Sequence, residues 1–180
     1  MREVMKKHVL ICGERGVGKS TLVRKLLEEI KVPVSGFMTK STEPDEKGFH
    51  AIYMYPALGP YTRHERDNRI GDCDTKQHLV NPDVFDGLGM ELLKTPERGI
   101  IVMDELGFME TQAEHFCGRV LEILDGDIPV LATVKSRYDI DFLNEVRAKE
   151  KAQLFMIDKT NRDELFEAIL PYVNEWNSQR

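Results

Sequence analysis

One run of eight residues, Gly13-Glu14-Arg15-Gly16-Val17-Gly18-Lys19-Ser20, constrains this chain more than any other feature. It fits GxxxxGK[ST], the phosphate-binding loop or Walker A. The four residues before it, Val9 to Cys12, are uninterruptedly apolar, as expected of a parallel strand buried on both faces. After it, Leu22, Leu26 and Ile30 fall at i, i+4 and i+8, which predicts a helix over about Lys19–Glu29. Glycines let such a loop turn its backbone N–H groups around a phosphate, and the helix adds its positive end. The predicted nucleotide contacts are therefore Gly13, Glu14, Arg15, Gly16, Val17, Gly18, Lys19, Ser20 and Thr21. Lys19 is expected to reach the β- and γ-phosphates and the Ser20 hydroxyl to ligate Mg²⁺. The plain alternative is a Gly-rich strand-to-helix turn with no ligand.

A phosphate loop needs an acid to hold its metal, and Gly99-Ile100-Ile101-Val102-Met103-Asp104-Glu105 offers one. Four apolar residues ending in a carboxylate read as a second buried strand. Its C-terminal end faces the ligand crevice of an open α/β sheet. Asp104 fits Walker B, holding Mg²⁺ opposite Ser20, and Glu105 is placed to orient or deprotonate an attacking water. Two acids that simply end a strand are the alternative.

The remaining pattern is regular around these two strands. Val34–Thr39 and Gly48–Tyr55 read as strands joined by a hairpin loop at 42–48, an antiparallel insertion over about 34–76. Pro56 to Lys76 has little periodicity and reads as a surface loop carrying Arg63, Arg66 and Arg69, either solvated or swinging over the phosphates. A helix is expected from Asn81-Pro82-Asp83 to about Leu93. Helix at about 112–124, strand at 129–134, helix near 140–149, strand at 153–157 and helix over about 162–173 then alternate. Pro171 is expected to kink or shorten the last helix, and Trp176 to pack the tail onto the body. This alternation predicts an α/β fold with a mostly parallel sheet and helices on both faces.

The chain has 180 residues, which predicts one domain over 1–180. It has no apolar run of transmembrane length, and Met1–Lys7 is charged where a signal peptide would be apolar. Cys12, Cys73 and Cys117 are odd in number and widely spaced, predicting reduced thiols in a cytoplasmic protein. A net charge of −6 speaks against sequence-independent nucleic-acid binding. His64 and His78 lack partners at metal-ligand spacing. A protein partner is not legible.

At 104–110 the chain reads DELGFME, which resembles the DEIGxME signature of the THEP-type P-loop nucleoside-triphosphatase family. The resemblance extends to GVGKSTL at 16–22, GFMT at 36–39, VNPDVF at 80–85 and DKTNRDEL at 158–165, in the correct order over nearly the whole chain. It implies a RecA-like α/β fold with a β-hairpin insertion, and slow Mg²⁺-dependent hydrolysis of several NTPs to NDP and phosphate. The chain departs from the family pattern at Glu46–His50, where an arginine is missing, and near Asp74–His78.

The residues leave several reaction classes open. Hydrolysis needs Lys19, the loop N–H groups and a Glu105-aligned water, with Arg15, Arg63, Arg66, Arg69 and Arg137 as candidate phosphate-stabilising cations. A P-loop kinase would use the insertion as its acceptor site. A GTPase switch fits DxxG at 104–107, but Phe108 stands where a water-positioning Gln is usual and no NKxD is present. A nucleotide sensor with incidental hydrolysis shares every motif. Asn161 and Arg162 are expected to shape a permissive base pocket, with helix capping as the alternative for Asn161.

Overall fold

The computed structural model describes residues 4–74 and 76–179. Residues 1–3 of the charged N-terminal segment, and Thr75 in the run expected to be irregular, lie outside the described residues. Eight strands form one mixed sheet: β1 (His8–Gly13), β2 (Val34–Ser41), β3 (His50–Pro56), β4 (Arg69–Cys73), β5 (His78–Val80), β6 (Ile100–Leu106), β7 (Val130–Lys135) and β8 (Ala152–Met156). Their spatial order is β5-β4-β3-β2-β6-β7-β1-β8. From β2 to β8 the pairings are parallel, and β3, β4 and β5 extend the sheet from β2 as an antiparallel meander.

Alternation along the buried strands explains the layers. Val9 and Ile11 of β1, with Ile100 and Val102 of β6, pack with Leu22 and Leu26 of α1 (Lys19–Glu29) and Ile169, Val173 and Trp176 of α6 (Arg162–Ser178). Their neighbours Leu10, Ile101 and Met103 face the other way, against Phe116 and Val120 of α4 (Glu114–Asp125) and Leu143 of α5 (Asp141–Arg147). Both faces of the sheet are covered, so β1 and β6 carry uninterrupted apolar runs, Val9–Cys12 and Ile100–Met103, rather than apolar residues at every second position. The short turns α2 (Pro82–Val84) and α3 (Met90–Leu92) complete the helical set.

Four sequence expectations are corrected. The segment expected to be a loop contains β4, so the insertion is a meander of added strands rather than a hairpin. The expected helix after Asn81 is interrupted between α2 and α3 by a π-turn at Phe85–Gly89, where two glycines loosen the helical backbone. A 3₁₀ turn at Met109–Gln112 precedes α4, which begins at Glu114. Pro171 does not end α6: the helix runs on to Ser178, carried by buried Val173 and Trp176, whose indole N–H donates to the Lys7 carbonyl at 3.3 Å. Among the described residues no helix is long and apolar enough to cross a membrane.

The join between the parallel core and the insertion depends on Gly36. It sits at φ 101°, and a Cβ there would lie 1.9 Å from the Val102 carbonyl oxygen across the β2–β6 pair. Both the left-handed backbone and the interstrand space require glycine. We expect Gly36→Ala to lower the unfolding free energy by on the order of 3 kcal/mol or more, read as a drop in the urea midpoint. A shift no larger than that of an exposed surface substitution would refute this reading.

Candidate active site

The C-terminal ends of β1, β7 and β6 lie side by side, and each delivers part of one cleft. β1 runs into the phosphate loop, where Gly18 at φ 101° turns the chain into α1 and the Gly18 carbonyl accepts the Leu22 N–H at 2.9 Å. Lys19 is 7% exposed and folds back on its own loop. Its Nζ donates to the carbonyls of Gly13 at 2.7 Å and Glu14 at 2.8 Å, and lies 3.3 Å from Glu105 Oε2. Glu14, Arg15, Gly16 and Ser20 are exposed, and Val17 and Thr21 are half-buried.

β6 brings the acids. Met103 is paired with Ala132 and Leu106 with Val134, so one extra residue is bulged out of β6 at Asp104-Glu105. Successive side chains on a regular strand point to opposite faces, and a bulge re-aims them. Here Asp104 reaches Ser20 while Glu105 reaches Lys19. Thr39 of β2 braces the bulge: its hydroxyl donates to the Asp104 carbonyl and accepts the Glu105 N–H, both at 3.3 Å.

Asp104 is 2% exposed, and one carboxylate oxygen, Oδ1, accepts from Thr133 at 2.6 Å and Ser20 at 3.3 Å. Burial pushes its pKa up, while those two hydroxyls and Lys19 pull it down. Its other oxygen, Oδ2, is buried and has no hydrogen-bond partner among the described residues. A buried carboxylate oxygen without a donor, beside a serine hydroxyl, is the oxygen-only set that suits Mg²⁺. The residues present therefore fit the ion the sequence implies.

Glu105 is held between two cations, Lys19 and Lys135, the latter at 3.7 Å from Oε1. The ring of Phe108 meets Lys135, Arg137 and His78, with the cations 5.1 and 5.6 Å from its centroid. Arg137 also grips Asp139 through two bonds of 2.8 and 2.7 Å. Glu110 is 3% exposed, and its Oε1 accepts the Gly107 N–H at 2.6 Å. Burial pushes its carboxyl up to about 7 against that bond and Lys135. This bond closes the turn after β6 and so fixes where Phe108 stands.

The arginine cluster lies elsewhere. Arg63 pairs with Glu65 and Asp67 of its own loop, Arg69 pairs with Asp72, and Arg66 lines a cleft with Asn81 beside β4 and β5. The cations lining the loop's cleft are Arg15, Lys19, Lys135 and Arg137. On the opposite side of the loop, a Cβ on Gly18 would lie 2.9 Å from Nη1 of Arg162, so that guanidinium rests on the glycine's open face. Arg162 Nε is buried without a hydrogen-bond partner among the described residues. Asn161 is committed to its own turn, accepting the Asp158 N–H at 2.9 Å and donating to the Met156 carbonyl at 2.9 Å. Sequence reasoning missed Thr133, Lys135 and Thr39. Thr133 and Lys135 carry no motif, Thr39 ends the GFMT run without declaring a role there, and the strand order is what brings all three to the acids.

Fold and cleft together define a P-loop protein of the mixed α/β class. A family profile described as NTPase matches residues 8–170, and the chain belongs to that family. It is 32% identical to the nucleoside-triphosphatase THEP1 of Methanocaldococcus jannaschii, over 90% of this chain and 94% of the relative. It is 29% identical to the cancer-related nucleoside-triphosphatase homolog of Mus musculus, over 94% of this chain and 97% of the relative. Among solved structures it is similar to the crystal structure of THEP1 from Aquifex aeolicus, with TM-score 0.74 and 27% identity over 92% of this chain and 98% of that one.

Glu110 makes the pH dependence of stability readable when set against His8. His8, at the opposite end of β1, is fully buried, and its ring nitrogens make no well-formed hydrogen bond among the described residues, although the backbone at Leu124 and Gly126 lies close enough to favour the charged ring. Burial outweighs that and pushes its pKa down to about 4. A lowered histidine pKa means the unfolded chain binds the proton first, so stability is lost as pH falls through 6.5 toward 4. A raised carboxyl pKa has the opposite sign, so Glu110 adds stability as pH falls through about 7 toward 4.5. Between about pH 7.5 and about pH 5 each effect is worth about 2 kcal/mol. Relative to wild type over that interval, His8→Phe is expected to gain, and Glu110→Gln to lose, about that amount in urea titrations. Parallel pH profiles for all three proteins would contradict both assignments.

Proposed function

We propose that the chain is a slow, Mg²⁺-dependent nucleoside-triphosphatase that splits NTPs to NDP and phosphate in the cytoplasm. The observation that carries this reading is the β6 bulge, which sets Asp104 against Ser20 and Glu105 against Lys19 in one cleft. Ser20 and Asp104 would hold Mg²⁺, which when bound offsets negative charge on the β- and γ-phosphates. Lys19 and the loop N–H groups cradle the phosphates, and Lys135 and Arg15 add positive charge at the cleft wall. Glu105 is in place to accept a proton from water, its carboxylate steered by the two lysines. The contact of Arg162 with Gly18 supports a role for its guanidinium beside the nucleoside, without reading a particular base.

Two features favour this reading over a guanine-specific switch. Phe108 is packed between cations and offers no polar group to water. Asn161, the nearest candidate base reader, has its amide engaged in its own turn. Comparable turnover of ATP and GTP is therefore expected.

Phosphate release from the four common NTPs with Mg²⁺ tests the assignment. Turnover is expected below about 1 s⁻¹, since phosphate-transferring centres without a dedicated arginine run at about 10⁻⁴ s⁻¹. Glu105→Gln should lower it by about 10²–10⁴-fold while nucleotide affinity changes little. Lys19→Ala should weaken both. Thr133→Val, which removes the 2.6 Å bond to Asp104, should cost about 10–100-fold in apparent Mg²⁺ affinity or rate. Full activity in Glu105→Gln would remove that residue from catalysis.

A further inference from the structure

Beside the phosphate loop the cleft opens into a cavity of about 230 Å³ that begins at the proposed ion and water sites and extends to the insertion strands. A single attacking water takes up only about 30 Å³. Ser20, Asp104 and Glu105 stand where the cavity meets the loop, and Ile52 and Ile70 line it from β3 and β4. Those strands belong to the antiparallel meander, which the parallel core does not need in order to build a P-loop. Ser41 and Cys73, at the ends of β2 and β4 nearest the cleft, line it with small polar groups.

Charge narrows the occupant. The lining includes the carboxyl groups of Asp104, Glu105 and Glu110 against the cations Arg15 and Lys135, and Lys135 is already set against Glu105. A second phosphorylated substrate would need cations of its own, which this lining does not offer. An uncharged molecule with an apolar body against Ile52 and Ile70 and a hydroxyl toward Glu105 matches both the lining and the volume.

We propose that this cavity is an acceptor site, and that the centre transfers the γ-phosphoryl group of a bound NTP to the hydroxyl of a compact, uncharged alcohol. The proposal rests on the reading of the loop as an NTP site and extends it. The alcohol oxygen forms a bond to the γ-phosphorus as the bond from that phosphorus to the β–γ bridging oxygen breaks. NDP leaves with the electron pair, and Glu105 takes the hydroxyl proton. The products are a phosphate monoester and NDP. Slow hydrolysis is then the reaction of the same phosphorus with water when no alcohol occupies the cavity.

The test supplies Mg²⁺ and ATP labelled in its γ-phosphate, with benzyl alcohol, cyclohexylmethanol or 3-pyridinemethanol at millimolar concentration. Labelled ester is separated from labelled inorganic phosphate. At least one alcohol is expected to give ester in excess of free phosphate. The same alcohol should shift the methyl resonances of Ile52 and Ile70 saturably in protein holding a non-hydrolysable ATP analogue. Ser41→Phe and, as a second filled cavity, Cys73→Phe should lower the ester-to-phosphate ratio at least tenfold and abolish those shifts. Phosphate release without ester, and isoleucine methyls unmoved by all three alcohols, would overturn the acceptor site and leave the hydrolase standing. Ester formed undiminished in both filled variants would overturn its location. Neither product, from any mixture, would bring down the NTP reading together with this one.

Discussion

The whole cleft depends on a carboxylate that is buried and only half satisfied. Removing Asp104 from water disfavours its charged form, and two hydroxyl donors on a single oxygen offset part of that penalty. Those donors come from α1 and β7, elements that meet only because β7 lies between the loop strand and the acid strand. The unpartnered second oxygen is a cost to the folded chain that a cation would relieve. Stability has been yielded where the chemistry needs an oxygen ligand, the trade expected of a functional site.

The bulge beside it solves a geometric problem. A flat strand end would offer one acid to the cleft and send the next to the opposite face. With one extra residue in β6, braced by Thr39 on the β2 side and Thr133 on the β7 side, both acids face one cleft. Glu110 then closes the following turn through the Gly107 N–H, so the DELGFME run supplies two cleft-facing acids, a turn, a ring and the acid that closes the turn. Its residues are spaced by the geometry of leaving a strand, and substituting any one of them alters the position of the others.

Much of this was legible in the sequence because it is local. The loop, the apolar runs of β1 and β6, the acids at the end of β6 and the alternation of later helices and strands are all written over short windows. What was not legible is what the strand order brings together. Thr133 is a single polar residue in an apolar strand, and nothing near it in sequence says that Asp104 is its neighbour. The stretch holding Arg63, Arg66 and Arg69 was legible only in part: a basic, aperiodic run suggested either a solvated surface loop or one swinging over the phosphates, and its arginines are exposed. Arg63 is instead paired with Glu65 and Asp67, Arg69 with Asp72, and Arg66 lines a cleft beside β4 and β5, while β4 is short and polar enough to lack a strand pattern. Pro171 misled because the penalty of one missing backbone donor was weighed without the burial of Val173 and Trp176 beyond it.

Lys19 couples binding to chemistry. Its ammonium donates to the carbonyls of Gly13 and Glu14 and is ion-paired with the carboxylate of Glu105. A phosphate entering the loop must compete for that ammonium with two carbonyls at 2.7 and 2.8 Å and with the Glu105 carboxylate at 3.3 Å. If a bound phosphate drew Lys19 away, Oε2 of Glu105 would be open to the nucleophile proposed above, while Lys135 still holds the other oxygen. In the empty loop the carboxylate proposed as base is thus paired with the same lysine proposed to bind the phosphate.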